Sequence, residues 1–180
     1  MLFRRAQSTD YAALAAIAAE NTGGNTARKT AGFLTGYFPP EYFATTNSDL
    51  MVVVADDNGT LAGFLSAATR ETGRRRPIIQ TMLDSCEHSM FQGRRLSDWN
   101  LFIYGPVCVA SAYLGQGVLK GLFTRLKQEV VGRYDVGVAF VDRENPHSLR
   151  VHVEGLGMTE VGNFEFKSRA YHIVAFRCDQ

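Results

Sequence analysis

The residues best placed to do chemistry are two glycines, Gly115 and Gly117. They follow the apolar run Leu101–Val109 and precede Val118, Leu119, Leu122, Phe123, Leu126 and Val130 at helical spacing. Glycines in a strand-to-helix turn let successive backbone N–H groups converge, and the helix start adds the positive end of its dipole. Such a turn can hold a phosphate or pyrophosphate without a charged side chain. An ordinary strand-to-helix turn is the alternative for the two glycines alone. A dinucleotide fingerprint needs Gly-x-Gly-x-x-Gly, and Gly121 falls one position late for it. A nucleotide P-loop needs Gly-Lys-Ser/Thr, which this chain does not contain. Cys86, Cys108 and Cys178 are widely spaced with no Cys-x-x-Cys pair, so neither a disulfide framework nor a metal site is expected. They read as reduced thiols of a cytoplasmic protein.

The elements that must position this turn fit in one compact domain. The chain has 180 residues, 46% hydrophobic and 21% charged, the balance of a folded globular domain spanning 1–180. A net charge of +1 offers no broad footprint for nucleic acid. The apolar runs are far below the ~20 residues of a spanning helix, and Gln7-Ser8-Thr9-Asp10 interrupts any signal-peptide pattern, so no membrane partner is expected.

Leu2–Ala6 reads as a first strand, and Thr9-Asp10 starts a helix whose apolar face is Leu14, Ile17 and Ala18. Residues 21–47 read as a long loop holding a short helix, with Phe33, Tyr37, Phe38, Tyr42 and Phe43 as core and loop anchors. Leu50–Ala55 and Leu61–Ala68 form a hairpin around Asp56-Asp57-Asn58-Gly59. Residues 71–100 read as an insertion with a helix at Pro77–Leu83, and Arg74-Arg75-Arg76 as a solvated loop. Gly105-Pro106 interrupts the Leu101–Val109 strand, because proline cannot donate to a ladder. A helix ended by Gly132, a strand at Val136–Val141 and a short helix from Asn145-Pro146 to about Glu154 follow. A hairpin of Thr159–Phe166 and Tyr171–Cys178 ends the chain and supplies an edge strand through which a homodimer could pair.

Taken together, Gly105-Pro106, Leu114-Gly115-Gln116-Gly117-Val118 and Asn145-Pro146-His147-Ser148 leading to Leu156-Gly157-Met158 resemble the GNAT superfamily of acyl-CoA-dependent N-acyltransferases. In that family's Arg/Gln-x-x-Gly-x-Gly/Ala motif, Leu114 stands at the usual first Arg, Gly117 matches the central glycine and Leu119 replaces the final small residue. The family's Asn-Pro-x-Ser-Leu-Arg stretch, ending in His or Tyr, matches Asn145 to His152, with one residue more than usual between His152 and Leu156.

The resemblance implies an α/β (α+β) fold: a mixed, mostly antiparallel sheet with splayed central strands and helices on both faces. It implies an N-acetyltransferase that moves an acetyl group from acetyl-CoA to a primary amine by direct attack, through a tetrahedral intermediate. A catalytically inactive acyl-CoA-binding sensor or partner subunit is the alternative. The implied cofactor contacts are Val107, Cys108 and Val109 for the pantetheine arm, with Val107 or Cys108 N–H as oxyanion donor and Cys108 as small packing beside the arm. Leu114, Gly115, Gln116, Gly117, Val118 and Leu119 would hold the pyrophosphate, and Asn145 and Ser148 the far side of the arm. His152 occupies the place of the general acid. The family's carboxylate base has no counterpart in Leu101–Val109, so Asp98 or Tyr104 stands in as proton relay. The amine acceptor, a small molecule or a peptide, would be bound by residues 21–47 and 71–100.

Overall fold

The structure, a computed structural model, describes residues 1–22 and 33–179. Of the long loop expected over 21–47, residues 23–32 lie outside the described residues. The chain forms two compact units, Met1–Ala68 with Tyr104–Glu129, and Thr69–Ile103 with Val130–Gln180.

In the first unit, strand β1 (Leu2–Arg5) leads through a 3-10 turn at Ser8–Asp10 into α1 (Tyr11–Glu20). Next come α2 (Pro40–Asp49), β2 (Met51–Asp57) and β3 (Thr60–Thr69). Leu14 and Ala18, one helical turn apart on α1, pack with Phe43 of α2 and with Val52, Val54 and Phe64 of the hairpin. The Arg4 guanidinium bridges Asp10 (2.7 Å) and Asp56 (2.8 Å), tying β1 to the α1 start and to β2. Buried Asn47 bonds the Ala6 carbonyl (2.8 Å) and accepts from Val52 N–H (3.0 Å), so the polar end of α2 is satisfied inside the core. The expected helix within 21–47 begins at Pro40 and runs past Asn47 to Asp49, because Phe43, Thr46 and Asn47 are its buried face. Phe38, Tyr42, Phe43 and Phe64 form a chain of edge-on rings, as expected of core anchors, whereas Tyr37 is exposed. The β2–β3 turn forms where it was expected, with Asn58 and Gly59 both at positive φ.

The second unit holds α3 (Arg70–Gly73), α4 (Pro77–Cys86), the two-residue strands β4 (Met90–Phe91) and β5 (Arg94–Arg95), and the start of β6 (Leu101–Val109). Pro77 opens α4, which buries Ile79, Met82, Leu83 and Cys86 at 3–4-residue spacing and packs against a strand introduced below. Beyond α5 (Val118–Val130) come β7 (Val136–Asp142), α6 (Pro146–Arg150) with a π-helical continuation at Val151–Gly155, β8 (Thr159–Phe166) and β9 (Arg169–Arg177). The strand against α4 is β8. The β8–β9 turn has Lys167 and Ser168 at positive φ.

The strands follow the order β1-β2-β3-β6-β7-β9-β8 in a seven-stranded sheet, with β4–β5 a separate ribbon. The β1–β2, β2–β3, β7–β9 and β8–β9 pairs are antiparallel, and β6–β7 is parallel. The break expected at Gly105-Pro106 falls in the pairing and not in the strand. β6 is continuous, yet its register with β7 runs only through Leu101↔Val136, Phe102↔Gly137 and Ile103↔Val138. Pro106 has no N–H to extend that ladder. Toward β3 the contact is close: a Cβ on Gly63 would lie 2.6 Å from the Cys108 carbonyl oxygen, so only glycine fits there.

Candidate functional site

In the first unit the functional segment runs from the second half of β6 into α5. Ala110 N–H bonds the Ala62 carbonyl (2.9 Å), anchoring the strand end to β3. A 3-10 turn at Ser111–Tyr113 follows, and Tyr113 Oη donates to Asp57 Oδ2 (3.2 Å), which fixes the turn to the β2–β3 hairpin. Gly115 (φ 76) and Gly117 (φ 78) both sit in the left-handed region, and a Cβ on either would meet nothing within 4 Å. Both glycines are therefore there for backbone conformation, and the space above them is open. The ladder of α5 begins with Gly121 N–H to the Gly117 carbonyl (3.1 Å), so the N–H groups of Val118, Leu119 and Lys120 precede it. Leu114, Gly115, Gln116 and Gly117 are exposed, Leu119 is half-buried and Val118 is buried under the helix. Exposed Lys120 puts an ammonium in this first turn, and neither it nor the Tyr113–Asp57 tie stood out in the sequence.

Tyr104 is buried on β6, edge-on to Phe123 of α5 (6.1 Å), and burial pushes its phenol well above the ordinary range. Val107 and Val109 are half-buried. The side chain of Cys108 belongs to the core formed by Leu14, Phe43 and Phe64, its Sγ 4.0 Å from the Ile17 carbonyl. Its side chain packs against α1.

In the second unit, Asn145 is buried (3% exposed) and caps α6, its Oδ1 accepting from Ser148 N–H (3.2 Å). Asp142 accepts from Glu144 N–H (2.9 Å) and pairs with Arg169 (2.6 Å), bracing the loop before that cap. His152 lies one turn beyond Ser148, 5% exposed, with Nδ1 2.7 Å from the Ser148 carbonyl oxygen and 3.4 Å from Ser148 Oγ. Burial lowers the His152 pKa from 6.5, and the bond to Ser148 opposes this only in part.

The extra residue between His152 and Leu156 is absorbed by the π-helical segment, in which Leu156 N–H reaches back five residues to the Val151 carbonyl (3.1 Å). His152 is thereby the buried imidazole one turn after Ser148. Asp98 ends a 3-10 turn, is exposed, and pairs loosely with Arg95 (3.6 Å). Asn145, Ser148 and His152 are thus brought together, whereas Asp98 is engaged with its own loop.

Among the described residues no group of three or more His, Cys, Asp or Glu side chains could hold a metal ion, and no helix is long and apolar enough to cross a membrane.

No family model matches the chain, and no curated protein matches it in sequence. Solved structures do match in fold. A ribosomal-protein-alanine N-acetyltransferase from Brucella melitensis is 22% identical, with 98% of this chain and 99% of that one covered at a TM-score of 0.65. An N-acetyltransferase from Staphylococcus aureus Mu50 is 19% identical, with 98% of each chain covered at 0.63. A GNAT superfamily phosphinothricin acetyltransferase from Sinorhizobium meliloti, solved with acetyl-CoA, is 17% identical, with 98% and 87% covered at 0.64. With its mostly antiparallel seven-stranded sheet, the chain has the fold of the GNAT N-acetyltransferases.

Proposed function

We propose that this protein is an acetyltransferase that moves an acetyl group from acetyl-CoA to a primary amine, residues 1–180 acting as one catalytic domain. The observation that carries the reading is the exposed Gly115–Gly117 turn, with both glycines at positive φ and open space above them, at the start of a 13-residue helix. That donor set is backbone N–H and a helix dipole, which suits a pyrophosphate. Leu114 through Leu119 would bind it by N–H groups, with Lys120 adding a charge at the same helix turn. Val107, Cys108 and Val109 lie on β6 beyond the end of its register with β7, and their backbone groups would bond the pantetheine amides. Asn145 and Ser148, at the start of α6, would bond the arm as well.

Bound acetyl-CoA supplies an activated acyl group with a thiolate leaving group. The protein's part is to hold the developing oxyanion, for which the Val107 or Cys108 N–H is the donor, and to move a proton from the amine nitrogen to sulfur. Burial keeps Tyr104 a neutral phenol, which would relay a proton only by accepting one on its oxygen as it gives up its own. Exposed Asp98 is the other relay. The buried thiols Cys86, Cys108 and Cys178 suit a reducing compartment such as the cytoplasm, and burial pushes Cys86 up to about 12.

A second reading, an acyl-CoA-binding subunit without turnover, is favoured by Leu114, which is 47% exposed in the turn where the family has an arginine. Release of CoA thiol from acetyl-CoA in the presence of α-amino and ε-amino acceptors separates the two. Acceptor-dependent release supports the enzyme, and binding without release supports the subunit.

A further inference from the structure

The turn between β6 and α5 leaves most of its donors unused. Among the described residues, the N–H groups of Gly115, Gly117, Val118, Leu119 and Lys120 have no acceptor. The bonds that the turn does make are largely its own: Tyr113 N–H to the Ala110 carbonyl (2.9 Å), Leu114 N–H to that of Ser111 (3.4 Å), Gln116 N–H to that of Tyr113 (3.4 Å) and the Gln116 side-chain amide to that of Ala112 (2.9 Å). Its ends are fixed, at Ala110 by the Ala62 carbonyl (2.9 Å) and at Val118, which is buried under α5. Between these ends, and among the described residues, a single hydrogen bond ties residues 111–117 to another strand: Tyr113 Oη donates to Asp57 Oδ2 (3.2 Å). The anchor is itself braced. Asp57 ends β2 opposite Thr60, and the neighbouring Asp56 carboxyl accepts from the Gly59 N–H (2.7 Å) and the Arg4 guanidinium (2.8 Å). The Tyr113 hydroxyl remains a donor near neutral pH, since partial burial and the Asp57 carboxylate both push its pKa up.

Glycine loses more chain freedom on ordering than any other residue, and a loop that must be ordered by its ligand binds it more weakly. We propose that Asp57 is a positioning residue for the cofactor turn: through the Tyr113 hydroxyl it orders residues 111–117 in advance, so that the unused N–H groups meet a pyrophosphate at a lower ordering cost. The proposal rests on the acetyl-transfer reading above. It assigns a part in binding to a residue outside the Leu114–Leu119 contact set. Asp57 and Tyr113 both belong to the first unit. The side chain of Asp57 is 36% exposed, so water and salt screen its charge, and what it gives the turn is a hydrogen-bond acceptor at a fixed point.

Calorimetric titration of the whole protein with acetyl-CoA tests the assignment, with circular dichroism and thermal melting to show that each variant is folded. Tyr113→Phe, which removes only the hydroxyl, should weaken binding by roughly 3–30-fold, the range of one hydrogen bond. Asp57→Ala should weaken it as much, and the double variant no more than either alone. Asp57→Asn keeps an oxygen that accepts, and should bind as the wild type does. Wild-type affinity in Tyr113→Phe would overturn the proposal. So would tighter binding by both Asp57→Asn and Asp57→Ala, because the carboxylate would then act on the ligand through its charge. Release of CoA thiol with a primary-amine panel adds a readout that lost folding does not mimic. In Tyr113→Phe the KM for acetyl-CoA should rise with kcat retained, whereas a lower kcat at unchanged KM would reduce the tie to a structural one. Failure of the wild type to bind acetyl-CoA overturns the acetyl-transfer reading itself, while wild-type binding with an unaffected Tyr113→Phe overturns only the role of Asp57.

Discussion

At the scale of single residues, the Ser148 carbonyl holds the His152 ring through Nδ1, 2.7 Å away. Four positions separate Ser148 from His152, so the bond between the Ser148 carbonyl and Nδ1 is local and was readable from Asn145-Pro146 once the helix start was fixed. A tie in the first unit, by contrast, was not readable. Tyr113 and Asp57 meet across 56 positions, and Asp57 in the sequence is only part of a turn signal. Burial also makes His152 a stability sensor. Its folded pKa lies below 6.5, so between those two values the unfolded chain binds the extra proton. Stability should therefore fall as pH drops through 6.5, and stop falling from this cause once pH is below the folded value. Urea denaturation of the wild type and His152→Gln across this range checks it, since the glutamine variant should lose that slope. Identical slopes would mean that the ring is not held neutral.

At the scale of elements, hairpins and capped helices were the legible parts, because Asn58-Gly59 and Asn145-Pro146 each impose a local conformation. The ribbon β4–β5 escaped because strands of two residues carry no period. The extra residue after His152 was visible as a spacing anomaly, but its resolution as a π-helical turn needed the backbone. Deleting Gly155 should let the helix continue in α geometry and keep Met158 in the core, at a cost within about 1 kcal/mol. Thermal melting tests this, and loss of folding would mean that the π segment is required by its surroundings.

The tie between β1 and α1 is a second test at this scale. Arg4 holds the Asp10 carboxyl below its usual range, and the Gly59 N–H, with Arg4 second, does the same for Asp56, so this stability is present above pH ~4 and is lost as carboxylates protonate below it. Arg4→Ala leaves buried Asp10 without its cation. It should cost roughly 1.5–3 kcal/mol near neutral pH and flatten the acid side of the profile.

At the scale of the whole molecule, the sheet order was available only through the family resemblance. Periodicity finds strands but does not pair β6 with β7, and their parallel arrangement needs the α5 crossover. The two compact units were not legible, because their boundaries fall inside elements: at the end of β3, between Ala68 and Thr69, inside β6, between Ile103 and Tyr104, and at the end of α5, between Glu129 and Val130. What the whole fold delivers is the Gly115–Gly117 turn, open to solvent at the head of a long helix. What that turn binds decides whether the protein uses acetyl-CoA. Calorimetric titration with acetyl-CoA, beside NAD as control and Gly117→Asp as variant, measures it most directly. We expect saturable binding of acetyl-CoA by the wild type, none of NAD, and at least ~100-fold weaker binding by a folded Gly117→Asp protein. Absence of acetyl-CoA binding by the wild type, or equal binding by the variant, would contradict that use.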